Sequence, residues 1–204
     1  MAGLRAKQKA NRAERILAAA TNLFRELGYD AVRIEDIAEA AEVSVGTFYN
    51  YFQTKGDILV AIVSVEVEEV LIAGAAVVAK PPVTVAAALS RLVEVYYDHS
   101  TIYLSKEMWR TAMALSILNP DTPSSRHYSG LDGLLRNQMC SLIDALQRFG
   151  TARGDVDATA LGQALFNNLN MMFIEYVKSD MSLSALKDAV ARQNGPVARL
   201  IACE

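Results

Sequence analysis

Residues 42–52 read EVSVGTFYNYF, which places four aromatic rings, Phe48, Tyr49, Tyr51 and Phe52, on about two turns of expected helix. A helix serving only a core would not need all four, so part of this stretch is built to face something else. Ser44 is a good N-cap for a helix from Val45 to Phe52. Val45, Phe48 and Phe52 share one face of that helix and are expected to pack inward on Ile37 and Ala41. Gly46, Thr47, Tyr49 and Asn50 then point outward, and Tyr51 lies between the two faces.

The preceding stretch, Ile34 to Ala41, reads as a short helix with Ile34, Ile37, Ala38 and Ala41 on one side. Two short helices joined by Glu42-Val43-Ser44 form a helix-turn-helix, whose second helix is of a kind that enters the DNA major groove. The outward residues suit that use. Gly46 removes bulk where a helix approaches DNA, and Thr47 can hydrogen-bond or offer its methyl to thymine. The Tyr49 hydroxyl can reach a phosphate. Lys55 adds a phosphate-seeking charge beside the start of the next helix.

Around this pair the pattern is helical throughout. Lys9 to Leu27 repeats apolar residues at helical spacing and stops at Gly28. Thr54 caps a helix that carries Asp57 in its first turn and ends before Pro81-Pro82. Helices are expected over Thr84 to about Ser100, Lys106 to Leu118 and Arg126 to Phe149, with residues 119–125 as a loop. Asp155 or Asp157 caps a helix reaching Lys178, and Ser182 or Ser184 begins a last helix broken or ended by Gly195-Pro196. No period-two alternation indicates a sheet, so the fold class is all-α.

Charge is unevenly placed. Residues 1–15 hold Arg5, Lys7, Lys9, Arg12 and Arg15 against Glu14 alone, whereas residues 56–204 hold 12 basic and 16 acidic side chains. A basic arm on an acidic body is the electrostatic footprint of a terminal DNA-binding module, although a solvated tail reads the same way. Apolar runs are broken by glutamates before they reach the roughly 18 residues of a membrane span, and no apolar segment follows the basic start as in a signal peptide. Cys140 and Cys203, the only cysteines, lack metal spacing and fit a reducing cytoplasm. His99 and His127 stand far apart, so no metal or cofactor is expected. No nucleophile triad or phosphate loop is present, and no catalytic residue is assigned.

The segment GYDAVRIEDIAEAAEVSVGTFYNYFQTKGDIL, residues 28–59, resembles the DNA-binding domain of the TetR family of transcriptional regulators. The shared pattern is a Gly-aromatic helix end, Asp-Ile-Ala, then Val-Ser-x-Gly-Thr-Phe-Tyr-x-Tyr-Phe and x-x-Lys-x-x-Leu, and it covers about residues 10–60. The resemblance implies a DNA-binding set of Arg33, Ser44, Val45, Gly46, Thr47, Tyr49, Asn50, Tyr51 and Lys55. Two positions depart from the family. Arg33 stands where Thr or Ser often caps the second helix, and could reach a phosphate instead. Glu42 stands where the turn usually carries Gly, at a cost of about 1 kcal/mol if the backbone is left-handed there.

Beyond the DNA-binding segment the resemblance rests on length and helical character. It implies residues 1–54 as the DNA-binding domain and 55–204 as an effector-binding and dimerisation domain. Tyr96, Tyr103, Trp109 and Met113 read either as core or as the apolar wall of an effector pocket, with His99, Asn137 and Asn170 as its polar groups. The helix from Asp157 to Lys178 is apolar nearly all round, and its stripe of Leu161, Leu165, Leu169, Met172 and Tyr176 is expected, with the helix over Ser184–Ala191, to meet a twofold-related copy. The whole reads as a homodimeric repressor that binds a palindromic operator and is released by a small hydrophobic effector. The rivals are a TetR-like activator and a helical ligand-binding or enzymatic protein that has lost DNA binding; Gly46, Thr47, Tyr49 and Lys55 argue against the latter.

Overall fold

The computed structural model describes residues 2–203, with side chains from residue 7 onward, so Arg5 of the basic arm lies outside the described side chains. The described residues form nine α-helices and no strand: α1 (Ala2–Leu27), α2 (Ile34–Ala40), α3 (Val45–Tyr49), α4 (Lys55–Ala79), α5 (Val85–His99), α6 (Lys106–Leu118), α7 (Pro123–Arg148), α8 (Ala158–Lys178) and α9 (Leu183–Ile201). The fold is all-α. One isolated antiparallel bridge pairs Ala152 with Ala202.

Most boundaries are set by caps that satisfy the first free N–H groups of a helix. Thr84, Ser105, Asp157 and Ser182 each accept such a bond at the starts of α5, α6, α8 and α9. At α4 the cap is reciprocal: the Asp57 N–H donates to the Thr54 hydroxyl at 3.1 Å, and the Thr54 N–H to the Asp57 carboxylate at 2.8 Å. Gly28 ends α1 in the left-handed region, at φ +82°.

Four boundaries differ from the sequence expectation. α1 begins at Ala2 rather than Lys9. α3 closes at Tyr49 rather than Phe52, because Asn50 and Tyr51 turn back to the carbonyls of Thr47 and Phe48. α7 starts at Pro123, where proline's missing N–H costs nothing in the first turn. α9 runs through Pro196 instead of ending there. Its buried stripe of Leu186, Val190, Asn194, Ala198 and Ile201 continues past the proline, and that burial holds the last turn.

The chain divides into two compact units, residues 1–65 with 103–128, and residues 66–102 with 129–204. In the first, α1 packs on α2 and α2 on α3 over a core that includes Ile16, Phe24, Ile37, Phe48 and Ile58. In the second, α9 packs on α5 and α8, over a core that includes Leu89, Leu92, Met139, Leu142 and Leu169. Within the second unit the Gln138 side chain lies across Gly74. A Cβ on Gly74 would collide with the Gln138 amide oxygen. From there Gln138 donates to the Leu71 carbonyl at 2.8 Å and accepts from the Tyr96 hydroxyl at 3.0 Å.

Candidate nucleic-acid interface

The outward face of α3 is built by its own capping. The Ser44 hydroxyl accepts from the Thr47 N–H at 3.1 Å and lies 2.8 Å from the Thr47 hydroxyl. Phe48 is fully buried, with its ring perpendicular to that of Tyr49 at 5.7 Å and tilted against that of Phe52 at 5.9 Å. Tyr49 is thereby held with 44% of its surface open, and Asn50 is exposed. Val45, Thr47, Tyr51 and Phe52 are half-buried. The division into inner and outer residues is therefore sharp at Phe48 and Tyr49 and graded at Val45 and Phe52.

Gly46 is exposed, and a Cβ there would meet nothing nearer than the Ser44 hydroxyl oxygen at 3.9 Å. The fold itself has room for a side chain at this position. The bare backbone there permits close approach of an outside surface.

The N-terminal helix completes the surface. Gln8, Lys9 and Arg12 of α1 line one concavity of about 360 Å³ with Thr47, Asn50 and Tyr51. The charge pattern of the arm is visible in the sequence. Its placement beside α3 is not, because it depends on the angle at which α1 crosses the helix pair. Arg15, about one turn further along α1, is exposed, but its guanidinium is engaged within the protein. It donates to the Ala41 carbonyl at 2.5 Å and pairs with the Glu42 carboxylate at 2.8 Å. Glu42 sits at φ +51°, the left-handed conformation expected for the family's glycine.

Two expected phosphate contacts take different places. Arg33 is exposed and ion-paired with Glu35 at 3.3 Å, while its N–H is capped by Asp36 at 2.8 Å. Lys55 points back into its own unit. Its ammonium donates to the carbonyls of Tyr29 at 2.6 Å, Val32 at 3.1 Å and Asp30 at 3.3 Å, and lies 4.3 Å from the centre of the Tyr29 ring. Glu107 of α6 grips the same loop from another direction, accepting from the Tyr29 N–H at 3.1 Å. Burial, with Asp30 and Asp57 nearby, pushes the Tyr29 hydroxyl up to about 12, so it stays neutral.

The expected effector residues are divided between the two units. Tyr96, His99, Asn137 and Asn170 belong to the second unit, and Tyr103, Trp109 and Met113 to the first. Tyr96 is buried with its hydroxyl on Gln138 and the Leu135 carbonyl. His99 bridges Glu66 at 2.8 Å and Glu69 at 3.3 Å. Asn137 is exposed on a surface groove that it shares with Ala75, Val78 and Phe149. Trp109 is buried, and Tyr103, Met113 and Asn170 are half-buried.

The stripe expected at a subunit interface is mostly committed as well. Leu165, Leu169 and Tyr176 are buried within their own unit, and the Leu169 carbonyl accepts from the buried Tyr97 hydroxyl at 2.9 Å. Leu161 and Met172 are half-buried. The open side of α8 carries Ala160, Ala164, Asn167 and Met171 instead.

One polar cluster has the elements of a catalytic set without the wiring. Ser64 lies 2.8 Å from His127 Nε2, but its hydroxyl also reaches the Val60 carbonyl at 2.9 Å. Asp57 orients no histidine, since its carboxylate is bonded to Ser124, Thr54 and Gln53. Among the described residues no group of three side chains could hold a metal ion, and no helix is long and apolar enough to cross a membrane.

Residues 16–62 match the sequence model of the bacterial regulatory proteins of the tetR family. The HTH-type transcriptional repressor KstR of Rhodococcus jostii is 39% identical over 67 residues, which are 33% of this chain and 32% of that protein. The chain thus matches about a third of the length of such a relative. A TetR-family regulator from Mesorhizobium loti superposes with a TM-score of 0.76 at 18% identity, over 96% of this chain and 98% of the other. The TetR-family repressor FadR of Thermus thermophilus, in complex with lauroyl-CoA, superposes with a TM-score of 0.63 at 24% identity, over 88% and 91%. The helix-turn-helix segment is thus similar to the tetR family, and the whole chain has the fold of these structural neighbours.

Proposed function

We propose, taking the tetR-family segment as premise, that this protein is a transcriptional regulator that represses by binding a palindromic operator as a homodimer in the cytoplasm and is released by a small hydrophobic effector. The observation that carries the DNA half is Gly46: an exposed glycine with room for a Cβ, between the capped Ser44 and the open Tyr49. Residues 1–54 would do the reading, with Thr47, Tyr49 and Asn50 toward bases and phosphates and Lys9 and Arg12 toward the backbone. Arg33 remains exposed enough to join them. Lys55 supports this surface from behind, by holding the loop before α2.

Residues 55–204 would bind the effector and the second copy. The open side of α8, with Ala160, Ala164, Asn167 and Met171, is the dimer face, bordered by the half-buried Leu161 and Met172. Two half-sites about one DNA turn apart follow from that symmetry. Within the first unit the buried Trp109 and the half-buried Tyr103 and Met113 offer apolar surface for an effector, and the acyl ligand carried by FadR makes lauroyl-CoA a sensible first probe.

The test is selection from a random-sequence duplex pool by the full chain, followed by sedimentation of the protein alone and with the recovered DNA. Enrichment of an inverted repeat, a dimer in solution and loss of the shift in Gly46→Ala support the reading. A monomer that enriches no sequence overturns it.

A further inference from the structure

Asp132 and Arg136 stand about one turn apart on α7, the spacing at which an acid and a guanidinium pair on a helix. Here they do not pair. Among the described residues no hydrogen bond or ion pair holds either side chain. Arg136 lies instead over the Phe166 ring of α8, its guanidinium carbon 5.8 Å from the ring centre. Its Nε is shut off from solvent and has no acceptor. A guanidinium carries five N–H donors, and one that is desolvated without an acceptor destabilises the fold, so an arginine held this way needs a reason.

The seam between α7 and α8 leaves it no partner. One turn beyond Arg136, Gly162 of α8 lies so close to α7 that a Cβ there would collide with the Cys140 backbone. The two helices are already at closest approach. The stretch of α8 from Gly162 to Phe173 holds no charged side chain, and the Cys140 thiol is turned to the Thr159 carbonyl at 3.5 Å. Nothing on α8 neutralises either group. Burial pushes the Asp132 carboxyl up to about 6, and Arg136, the charged neighbour that acts on it, offsets this only in part. The seam thus holds a permanent cation with unused donors beside an acid that takes up a proton readily.

We propose that Asp132 and Arg136 together bind the carboxylate of a small organic acid. The guanidinium fork matches a carboxylate in shape and charge. The Asp132 carboxyl, in its acid form, donates its O–H to the same ligand group. Two ionised carboxylates side by side would repel, so each ligand that arrives above about pH 6 brings one proton onto Asp132. The site is then neutral: one guanidinium, one bound carboxylate and one protonated acid. A phosphate carries more negative charge than the single cation offsets, and an amine meets the repulsion of Arg136. Asp132, Arg136 and Phe166 all belong to the second unit, and the site depends neither on the DNA-binding reading nor on Trp109.

The experiment is a magnetic-resonance titration of the full-length chain with benzoate, read at the Arg136 Nε–H signal, which is assigned by its disappearance in Arg136→Gln. Saturable movement of that signal with benzoate, and none with benzyl alcohol, supports the site. Affinity is expected to fall about thirtyfold between about pH 5 and about pH 7.5, the change in the protonated fraction of a group titrating at about 6. Asp132→Asn should keep binding and remove this pH dependence, since its amide still donates. Arg136→Gln, checked for an intact melting transition and read at the backbone amides of α7, should lose binding. No saturable movement in the wild type overturns the proposal. So do equal movement with benzyl alcohol, equal affinity at both pH values, and unchanged affinity in Arg136→Gln. None of these readouts involves operator DNA, so the site and the DNA-binding reading fail independently.

Discussion

Arg15 and Glu42 close the helix-turn-helix across its turn: the guanidinium reaches the Glu42 carboxylate at 2.8 Å and the Ala41 carbonyl at 2.5 Å. The carbonyl contact places a cation at the C-terminus of α2, where the helix dipole favours it. The carboxylate contact is exposed, with 85% of the Glu42 side chain open, and is worth at most about 1 kcal/mol. Glu42 meanwhile bears a left-handed backbone that glycine would adopt freely.

Glu42→Gly is therefore expected to leave stability unchanged or raise it by up to about 1 kcal/mol, as strain relief offsets the missing pair. Arg15→Ala should lower it by about 1–2 kcal/mol, because carbonyls at the end of α2 lose their donor. Urea denaturation of both variants separates these outcomes. A loss in Glu42→Gly as large as in Arg15→Ala would show that the ion pair, not the carbonyl contact, holds the turn.

Gly46→Ala tests whether the bare backbone of α3 serves an outside surface. Alanine favours a helix by about 1 kcal/mol over glycine, and nothing lies within 3.9 Å of the added carbon, so the melting temperature should hold or rise. Affinity for selected operator DNA should fall at least tenfold, or about 1.4 kcal/mol. A variant that melts later and binds as before would mean that DNA does not approach this backbone.

Lys55 and the arm cations should behave oppositely in salt. Lys9→Gln and Arg12→Gln are each expected to reduce the slope of log affinity against log salt by about 0.9 for every phosphate left without its cation. Lys55→Met keeps the stem on Tyr29 but strips donors from the carbonyls of Tyr29, Asp30 and Val32. It should cost about 1–3 kcal/mol of stability and leave the salt slope intact. A shallower slope with full stability would return Lys55 to the phosphate backbone.

Asp132 gives a prediction in pH. Burial pushes its carboxyl up to about 6, and Arg136 offsets this only in part. A carboxyl raised above its unfolded value of 3.8 keeps its proton longer in the folded chain. Its stabilisation is whole below that unfolded value and is lost as pH rises through about 6. Asp132→Asn, which mimics the neutral acid, should be nearly silent at about pH 4 and stabilising by up to about 2–3 kcal/mol at about pH 7.5. Equal effects at both pH values would show that charge is not the cause.

The fold was legible because its punctuation is local. Thr84, Ser105, Asp157 and Ser182 each bind an N–H two or three residues on, a relation that sequence shows directly. The inward Phe48 and outward Tyr49 were legible for the same reason, being set by helical period. What escaped is long in sequence. Lys55 reaches carbonyls 23 to 26 residues back, and its charge alone could not say whether it faces phosphate or protein. The stripe of Leu165, Leu169 and Tyr176 was recognised as apolar, but periodicity does not tell which neighbour covers an apolar face. Pro196 misled because propensity marks a helix stop, while burial of Ala198 and Ile201 carries the helix past it.

The Gln138 amide lying over Gly74 behaves as a mechanical detent. It occupies the notch a Cβ would fill, with one end on the Leu71 carbonyl of α4 and the other on the Tyr96 hydroxyl of α5. Any sliding of α4 past α7 within the second unit must first lift that amide out, breaking both bonds together. A group that competes for the Tyr96 hydroxyl acts on the catch itself.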